Sequence, residues 1–274
     1  MKTLNQKLDQ LQKYIAETGK NGVAIAFSGG VDSTTLAAIT YQLLNKKSIA
    51  IIARSPIHPS NELQTAKKTA KKIGIKLYMA QTNVLTNPSF IINSENRCYH
   101  CKKELITNIK HIANQIGITT IFEGTNYSDL NEHRPGIKAI YETPNVFSPW
   151  ITTQMSKNEI RQIAKQLGLD IYNKPPLACL ATRIPFNQLV TEEKLIRIDK
   201  AEQVVQAITN IRQVRVRDHQ GLARIEVPKS DFPLVCNVTV WSQITKALLK
   251  LGFKYVTLDL QGYVSGSMIK TLTF

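Results

Sequence analysis

The sequence predicts an α/β protein, a doubly wound parallel sheet followed by a smaller α+β unit. Three observations carry this. Short apolar runs alternate with amphipathic stretches of helical length through the first half of the chain. A glycine-rich break joins the first apolar run to the helix after it. Six of the eleven prolines fall between Pro135 and Pro185, and beyond them the pattern changes to two alternating strands between long helices. A chain of 274 residues is long enough for two domains with separate cores. We place them at residues 1–173 and 174–274.

Each element has its own signal. Leu4, Leu8, Leu11 and Ile15 recur at steps of three and four, one stripe of an amphipathic first helix. Residues 23–27 (Val-Ala-Ile-Ala-Phe) suit a strand covered on both faces. Helical spacing resumes over 32–44, then come a strand at 48–53, a helix at 61–73, a strand at 75–80, a helix at 102–116 and a strand at 119–123. Ser156 and Glu159 form a capping box that opens another helix, which Gly168 ends. The second domain reads as a helix at 191–208, strands at 213–217 and 222–227 joined by a hairpin turn at 218–221, a helix at 241–251 and a strand at 255–260.

Composition narrows the function. With 43% hydrophobic residues the chain is not disordered. No apolar run approaches the roughly 18 residues of a membrane span, and residues 1–6 carry no apolar signal core, so we expect a cytoplasmic protein without a membrane partner. The 35 Lys and Arg against 20 Asp and Glu leave a formal charge of +15, which permits a phosphate-rich partner. Lys67, Lys68, Lys71 and Lys72, however, lie on a predicted helix face where solvation explains them. A nucleic-acid partner is not expected, since the second domain has no clustered aromatics for base stacking.

Ser28-Gly29-Gly30-Val31-Asp32-Ser33 stands between a buried strand and a helix. Glycines there let the backbone approach an anion, and the amides and dipole of the helix start favour negative charge. Ser28 and Ser33 add hydroxyls. The loop lacks the Gly-Lys-Ser/Thr ending of kinase and GTPase loops. In parallel sheets ligands sit beyond the carboxyl ends of the strands, so Ser55 and Gly124 are candidate adenosine contacts.

Four cysteines in this length do not make a disulfide scaffold. Cys98-Tyr99-His100-Cys101 with the distant Cys179 supplies three thiolates, which suits an iron–sulfur cluster with one open iron. A zinc completed by His100 or His133, a redox pair, or three unrelated buried cysteines are the alternatives. Cys179 lies at the domain boundary with Arg183 four residues on, and a nearby guanidinium favours the thiolate that a nucleophile or sulfur ligand needs. Cys236, in Leu234-Val235-Cys236, reads as packing. Arg215 and Arg217 alternate with Val214 and Val216, so both guanidiniums share one strand face and could grip a phosphate.

The six-residue loop resembles the pyrophosphate-binding loop (PP-loop) of the ATP-pyrophosphatase superfamily, which splits ATP between its α and β phosphates. The chain as a whole resembles one branch of it, the LarE-type ATP-dependent sulfur transferases that build the nickel-pincer cofactor of lactate racemase. The matching pieces run from Ser28 to Val264: Arg97-Cys98-Tyr99-His100-Cys101-Lys102-Lys103, Glu123-Gly124-Thr125-Asn126, Arg134-Pro135-Gly136, Cys179-Leu180-Ala181-Thr182-Arg183-Ile184-Pro185, Val214-Arg215-Val216-Arg217 and Tyr255-Val256-Thr257-Leu258-Asp259-Leu260.

The resemblance implies ATP with Mg²⁺ near Asp32, and as substrate a pyridinium mononucleotide bearing two carboxylates. One carboxylate is adenylated with release of pyrophosphate and then converted to a thiocarboxylate. In one-cysteine members the residue matching Cys179 gives up its own sulfur. In members with the extra cysteine pair, Cys98, Cys101 and Cys179 hold a [4Fe-4S] cluster, the version expected here. Arg183, Glu202, Arg215, Arg217 and Glu226 match phosphate-binding positions, and Thr182 stands where the family commonly has Ser. Ser128 and Glu132 replace usual Asp residues, and Val264 and Ile269 replace an Arg and an Asn. A homo-oligomer is expected. A tRNA-thiolating enzyme, an amidotransferase of the NAD- or GMP-synthetase kind and a catalytically silent nucleotide- or RNA-binding protein are the rival readings.

Overall fold

A computed structural model describes residues 2–131, 134–175 and 178–272. In chain order it contains α1 (Leu4–Thr18), β1 (Val23–Ala26), α2 (Val31–Leu44), β2 (Ser48–Arg54), α3 (Ser60–Ile73), β3 (Lys76–Gln81), α4 (Pro88–Ile91) and α5 (Arg97–Gln115). Then come β4 (Thr120–Phe122), α6 (Gly136–Tyr141), β5 (Val146–Phe147), α7 (Pro149–Thr152), α8 (Lys157–Gln166), α9 (Glu192–Thr209), β6 (Arg215–His219), β7 (Leu222–Glu226), α10 (Phe232–Val235), α11 (Val238–Lys250) and β8 (Tyr255–Leu258). Among the described residues no helix is long and apolar enough to cross a membrane.

The chain divides into two compact units that are not contiguous in sequence. The first comprises residues 1–55, 60–83 and 98–177; the second comprises 56–59, 84–97 and 178–274.

The first unit is built on a parallel sheet in the order β3-β2-β1-β4-β5. Side chains of a strand alternate between faces, and β1 shows both layers. Val23, Ile25 and Phe27 join Leu11 and Ile15 of α1, Leu36 of α2 and Ile160 of α8 in one core. Ala24 joins Ile49, Ile51 and Ala53 of β2 against Ile109 and Ala113 of α5 on the other face. Helices on both faces are what near-continuous apolar strands require. The capping box of Ser156 and Glu159 is present on α8, and Lys7 of α1 reaches Glu159 at 2.8 Å.

In the second unit β6-β7-β8 form a mixed sheet. Val216, Ala223 and Ile225 pack with Ala201 and Val205 of α9 and Ile244 and Leu248 of α11. Two early segments fold into this unit by long-range backbone pairing: the Leu180 amide donates to Ile57 O at 2.8 Å, and the Val190 amide to Ile91 O at 2.9 Å. Asn93, in the left-handed region at φ 58°, donates from its side chain to Ile184 O and Pro185 O, at 3.3 and 2.7 Å.

Three local expectations are corrected. Helix α5 begins at Arg97 rather than 102, so the Cys-x-x-Cys lies inside its first turns and not ahead of it. Arg97 starts it because its buried guanidinium is held by Asn93 and by Ala181 O (3.1 Å), contacts no local spacing announces. Helix α11 begins at Val238, since Asn237 caps it by accepting from the Thr239 and Val240 amides. Cys236 is exposed, on the outward side of the turn after α10, while its neighbour Val235 takes the core position.

Candidate nucleotide and sulfur-transfer site

In the first unit the strand order reverses between β1 and β4: the chain runs outward from β1 to β2 and β3, then returns to place β4 on the other side of β1. The crevice at such a switch point is where open α/β sheets bind ligands. The loops after β1 and β4 meet there. A Cβ at Gly124 would lie 3.0 Å from the Ser33 amide and 3.2 Å from its Cα, so only glycine lets the β4 loop approach the start of α2 this closely. Gly29, at φ +73°, lies against α3, where a Cβ would come within 2.9 Å of the Ala66 Cβ.

The loop is internally tied. Ser33 Oγ accepts from the Ser28 amide at 3.1 Å and lies 3.0 Å from Ser28 Oγ. Gly30 is the N-cap of α2 without a side-chain cap bond, and Asp32 lies in the first turn. Trp150, fully buried, donates from its indole to Asp32 O at 3.2 Å. Ser55, the first residue beyond β2, is buried.

Several residues at this site carry no mark in the sequence. Lys157, at the start of α8, pairs with the Asp32 carboxylate. Asn126 donates to the other Asp32 oxygen at 3.4 Å. Lys174 pairs with Glu62 at 2.5 Å and reaches Gly29 O at 3.4 Å, bringing a second ammonium to the glycine loop. A lysine far along the chain leaves no spacing signal, although Lys157 could have been suspected from its place behind a capping box. Burial raises the Asp129 carboxyl above its usual range despite the Asn126 amide and Arg134. Ser128 Oγ accepts the Lys157 amide at 3.1 Å at the start of α8.

Glu123, 1% exposed, closes the site on the α5 side. It accepts from Lys102 at 3.2 Å, from Thr125 through its amide and hydroxyl at 3.0 and 2.7 Å, and from Ser148. Cys98 and Cys101 stand one helical turn apart on α5, Cys98 exposed and Cys101 half-buried, both in the first unit. Cys179, half-buried, belongs to the second. Among the described residues no three His, Cys, Asp or Glu form a metal-holding group. Glu132 and His133 lie outside the described residues.

In the second unit Arg183 is 2% exposed. Its Nε and Nη2 donate to both oxygens of Glu202 at 2.8 and 3.0 Å, while Nη1 donates to Ala178 O, Cys179 O and Thr182 Oγ1. Burial alone would lower its pKa, but the Glu202 carboxylate outweighs that and holds it above the ordinary value. The guanidinium thus fixes the turn of Cys179. Thr182 adds a bond to Cys179 O at 2.7 Å.

Arg215 and Arg217 share one face of β6, and that face is buried. Arg217 forks onto Glu226 at 3.0 and 2.6 Å and donates to Thr182 O. Arg215 lies over the Tyr263 ring, its pKa lowered by burial and then by the neighbouring Arg183 cation. Arg183, Glu202, Arg215, Arg217, Glu226 and Thr182 therefore form one network. Arg224 joins it through Glu226 at 3.1 Å, so the network gathers several guanidiniums around buried carboxylates.

The sheet order and glycine loop define a class of protein, the PP-loop nucleotide-binding α/β fold, and residues 3–109 match the NAD synthase family. The chain is 31% identical to pyridinium-3,5-bisthiocarboxylic acid mononucleotide synthase of Lactiplantibacillus plantarum, over 92% of this chain and 90% of that protein. It belongs to that LarE-type family. It is also 40% identical to an uncharacterized Synechocystis protein over 98% of this chain and 99% of that one. A weaker likeness, 26% identity, links it to a glutamine-hydrolyzing GMP synthase chain of Pyrococcus abyssi over 73% of this chain and 68% of that one.

Proposed function

We propose that this protein is an ATP-dependent sulfur transferase that adenylates a carboxylate of pyridinium-3,5-dicarboxylic acid mononucleotide and converts it to a thiocarboxylate. The observation that carries the reading is the glycine loop packed on α3 at the β1/β4 switch point, with Asp32, Lys157 and Lys174 around it. Family membership supplies the substrate class.

A carboxylate is a poor electrophile because attack on it must expel oxide. Transfer of AMP from ATP makes AMP the leaving group. Ser28, Gly29 and Gly30 amides, the Ser33 hydroxyl and the start of α2 would cradle the departing pyrophosphate. Asp32 would hold Mg²⁺. Lys157 is then freed from Asp32 to meet the phosphates. The guanidiniums of Arg183, Arg215 and Arg217 would hold the phosphate of the mononucleotide, and Thr182 would hydrogen-bond it.

The donor chemistry of three cysteines outside any disulfide, two of them one helical turn apart, fits a [4Fe-4S] cluster in kind. Held by Cys98, Cys101 and Cys179, it would supply an open iron able to carry sulfide, which allows repeated turnover. Without it, Cys179 itself would attack the adenylate. A thioester forms, loss of the Cα proton breaks the cysteine Cβ–S bond, and thiocarboxylate and dehydroalanine result.

The test is product analysis. ATP with the dicarboxylate mononucleotide is expected to give AMP and pyrophosphate in equal amounts, and ADP would contradict the loop assignment. Anaerobically purified protein is expected to hold about four irons per chain. Iron-free protein that loses the mass of one H₂S at Cys179 after reaction would replace the cluster version with the sacrificial one.

A further inference from the structure

Ser55 and Thr82 are the first residues beyond β2 and β3. The parallel register pairs Ala53 with Ala80 and Arg54 with Gln81, and the Thr82 amide donates to Arg54 O at 2.9 Å, carrying the ladder one step on. Ser55 and Thr82 are thereby neighbours, and paired residues of a parallel ladder point to the same face. That is the face of Ala53 and Ala80, packed with Ile109 and Ala113 of α5.

Both side chains are buried, at 5% and 6% exposure, and neither hydroxyl has a hydrogen-bond partner. Most buried polar atoms in folded proteins are paired, because an unmet hydroxyl forfeits its bonds to water. Here two unmet hydroxyls stand side by side at the carboxyl edge of the sheet, where ligands bind.

Their position is set by the strand ladder. Adjacent strands are about 4.8 Å apart, so Ser55 lies one spacing and Thr82 two spacings, about 10 Å, from the phosphate loop after β1. Those steps match an extended nucleotide, with its sugar beyond the phosphates and its base beyond the sugar.

We propose that Thr82 reads the edge of the nucleotide base, with Ser55 beside it on the sugar side, and that Thr82 is a specificity-determining residue of the ATP site. This rests on the ATP reading above. The unpaired hydroxyls carry a cost in the empty protein that the base relieves on binding. Removing one should therefore weaken nucleotide binding without weakening the fold.

Titration calorimetry of wild-type, Thr82→Val and Ser55→Ala proteins with ATP and with inorganic tripolyphosphate tests this. Thr82→Val is expected to weaken ATP about 3- to 12-fold, the value of one net hydrogen bond. Tripolyphosphate binding should be unchanged and the melting temperature of the nucleotide-free protein should not fall. Equal ATP binding by wild type and Thr82→Val overturns the proposal. So does a parallel loss of tripolyphosphate binding or of melting temperature, which marks a structural hydroxyl. Wild-type protein that binds tripolyphosphate but not ATP removes the base site, and one that binds neither removes the ATP reading together with it.

Discussion

Replacing Glu202 with Ala removes the partner of a guanidinium that is 2% exposed. Glu202 accepts from Arg183 at 2.8 and 3.0 Å and from the Val216 amide at 3.1 Å. Because β6 is an edge strand, that amide has no replacement partner across the sheet. Breaking one side of a buried pair leaves an uncompensated charge and costs about 3–5 kcal/mol. Surface screening does not reduce this, as the two side chains are 2% and 9% exposed. At about 2–4 °C per kcal/mol, the melting temperature should fall by roughly 6–20 °C. Urea unfolding followed by circular dichroism checks the free energy, and calorimetry the temperature. The double replacement of Arg183 by Met and Glu202 by Leu should recover most of the loss, since apolar side chains of similar volume carry no stranded charge. A Glu202→Ala protein within about 1 kcal/mol of wild type would refute the reasoning, because that is the scale of an exposed pair.

Gly29→Ala should abolish tight ATP binding: its φ of +73° costs an L residue about 1–2 kcal/mol, and the new Cβ would lie 2.9 Å from that of Ala66. Unchanged ATP affinity by calorimetry would reject the loop as the phosphate site. Asp32→Asn should lower pyrophosphate release about 100-fold or more while leaving stability within about 1 kcal/mol, since the Lys157 pair it breaks is partly exposed. Coupled pyrophosphate assays and urea melts measure the two effects. Burial holds the His58 imidazole below its ordinary pKa, and burial followed by the Arg224 cation does the same for His219. The unfolded chain therefore binds more protons than the folded one once pH drops past about 6.5. Their contribution is complete above that value and is lost as pH falls through the folded values. Urea midpoints should fall between pH 7.5 and 5.5, less steeply in His219→Gln; an equally steep fall in that variant would exclude His219 as a source.

The alternation of apolar runs and helices, the glycine loop and the capping box at Ser156 are local features, and each can be read from a few neighbouring residues. The packing partner of Gly29 and the approach of Gly124 to Ser33 are not local, but a glycine at a strand end already signals that something comes close. Alternation puts Arg215 and Arg217 on one face of a strand, as the structure has them. It does not say whether that face is wet, and here it is buried with Glu226 and Tyr263.

By itself the sequence determined the layered α/β order, the glycine turn after the first strand and the family, because periodicity, capping and glycine placement act over one or two helical turns. Only the tertiary structure decided where the charges are spent. It paired Arg183 with Glu202, brought Lys157 and Lys174 to the loop around Asp32 and Gly29, and folded residues 84–97 into the second unit through Asn93 and Arg97. Those contacts join residues 19 to 145 positions apart. Partners that far apart are selected by burial and by the need to satisfy buried polar groups, which act only once the chain has collapsed.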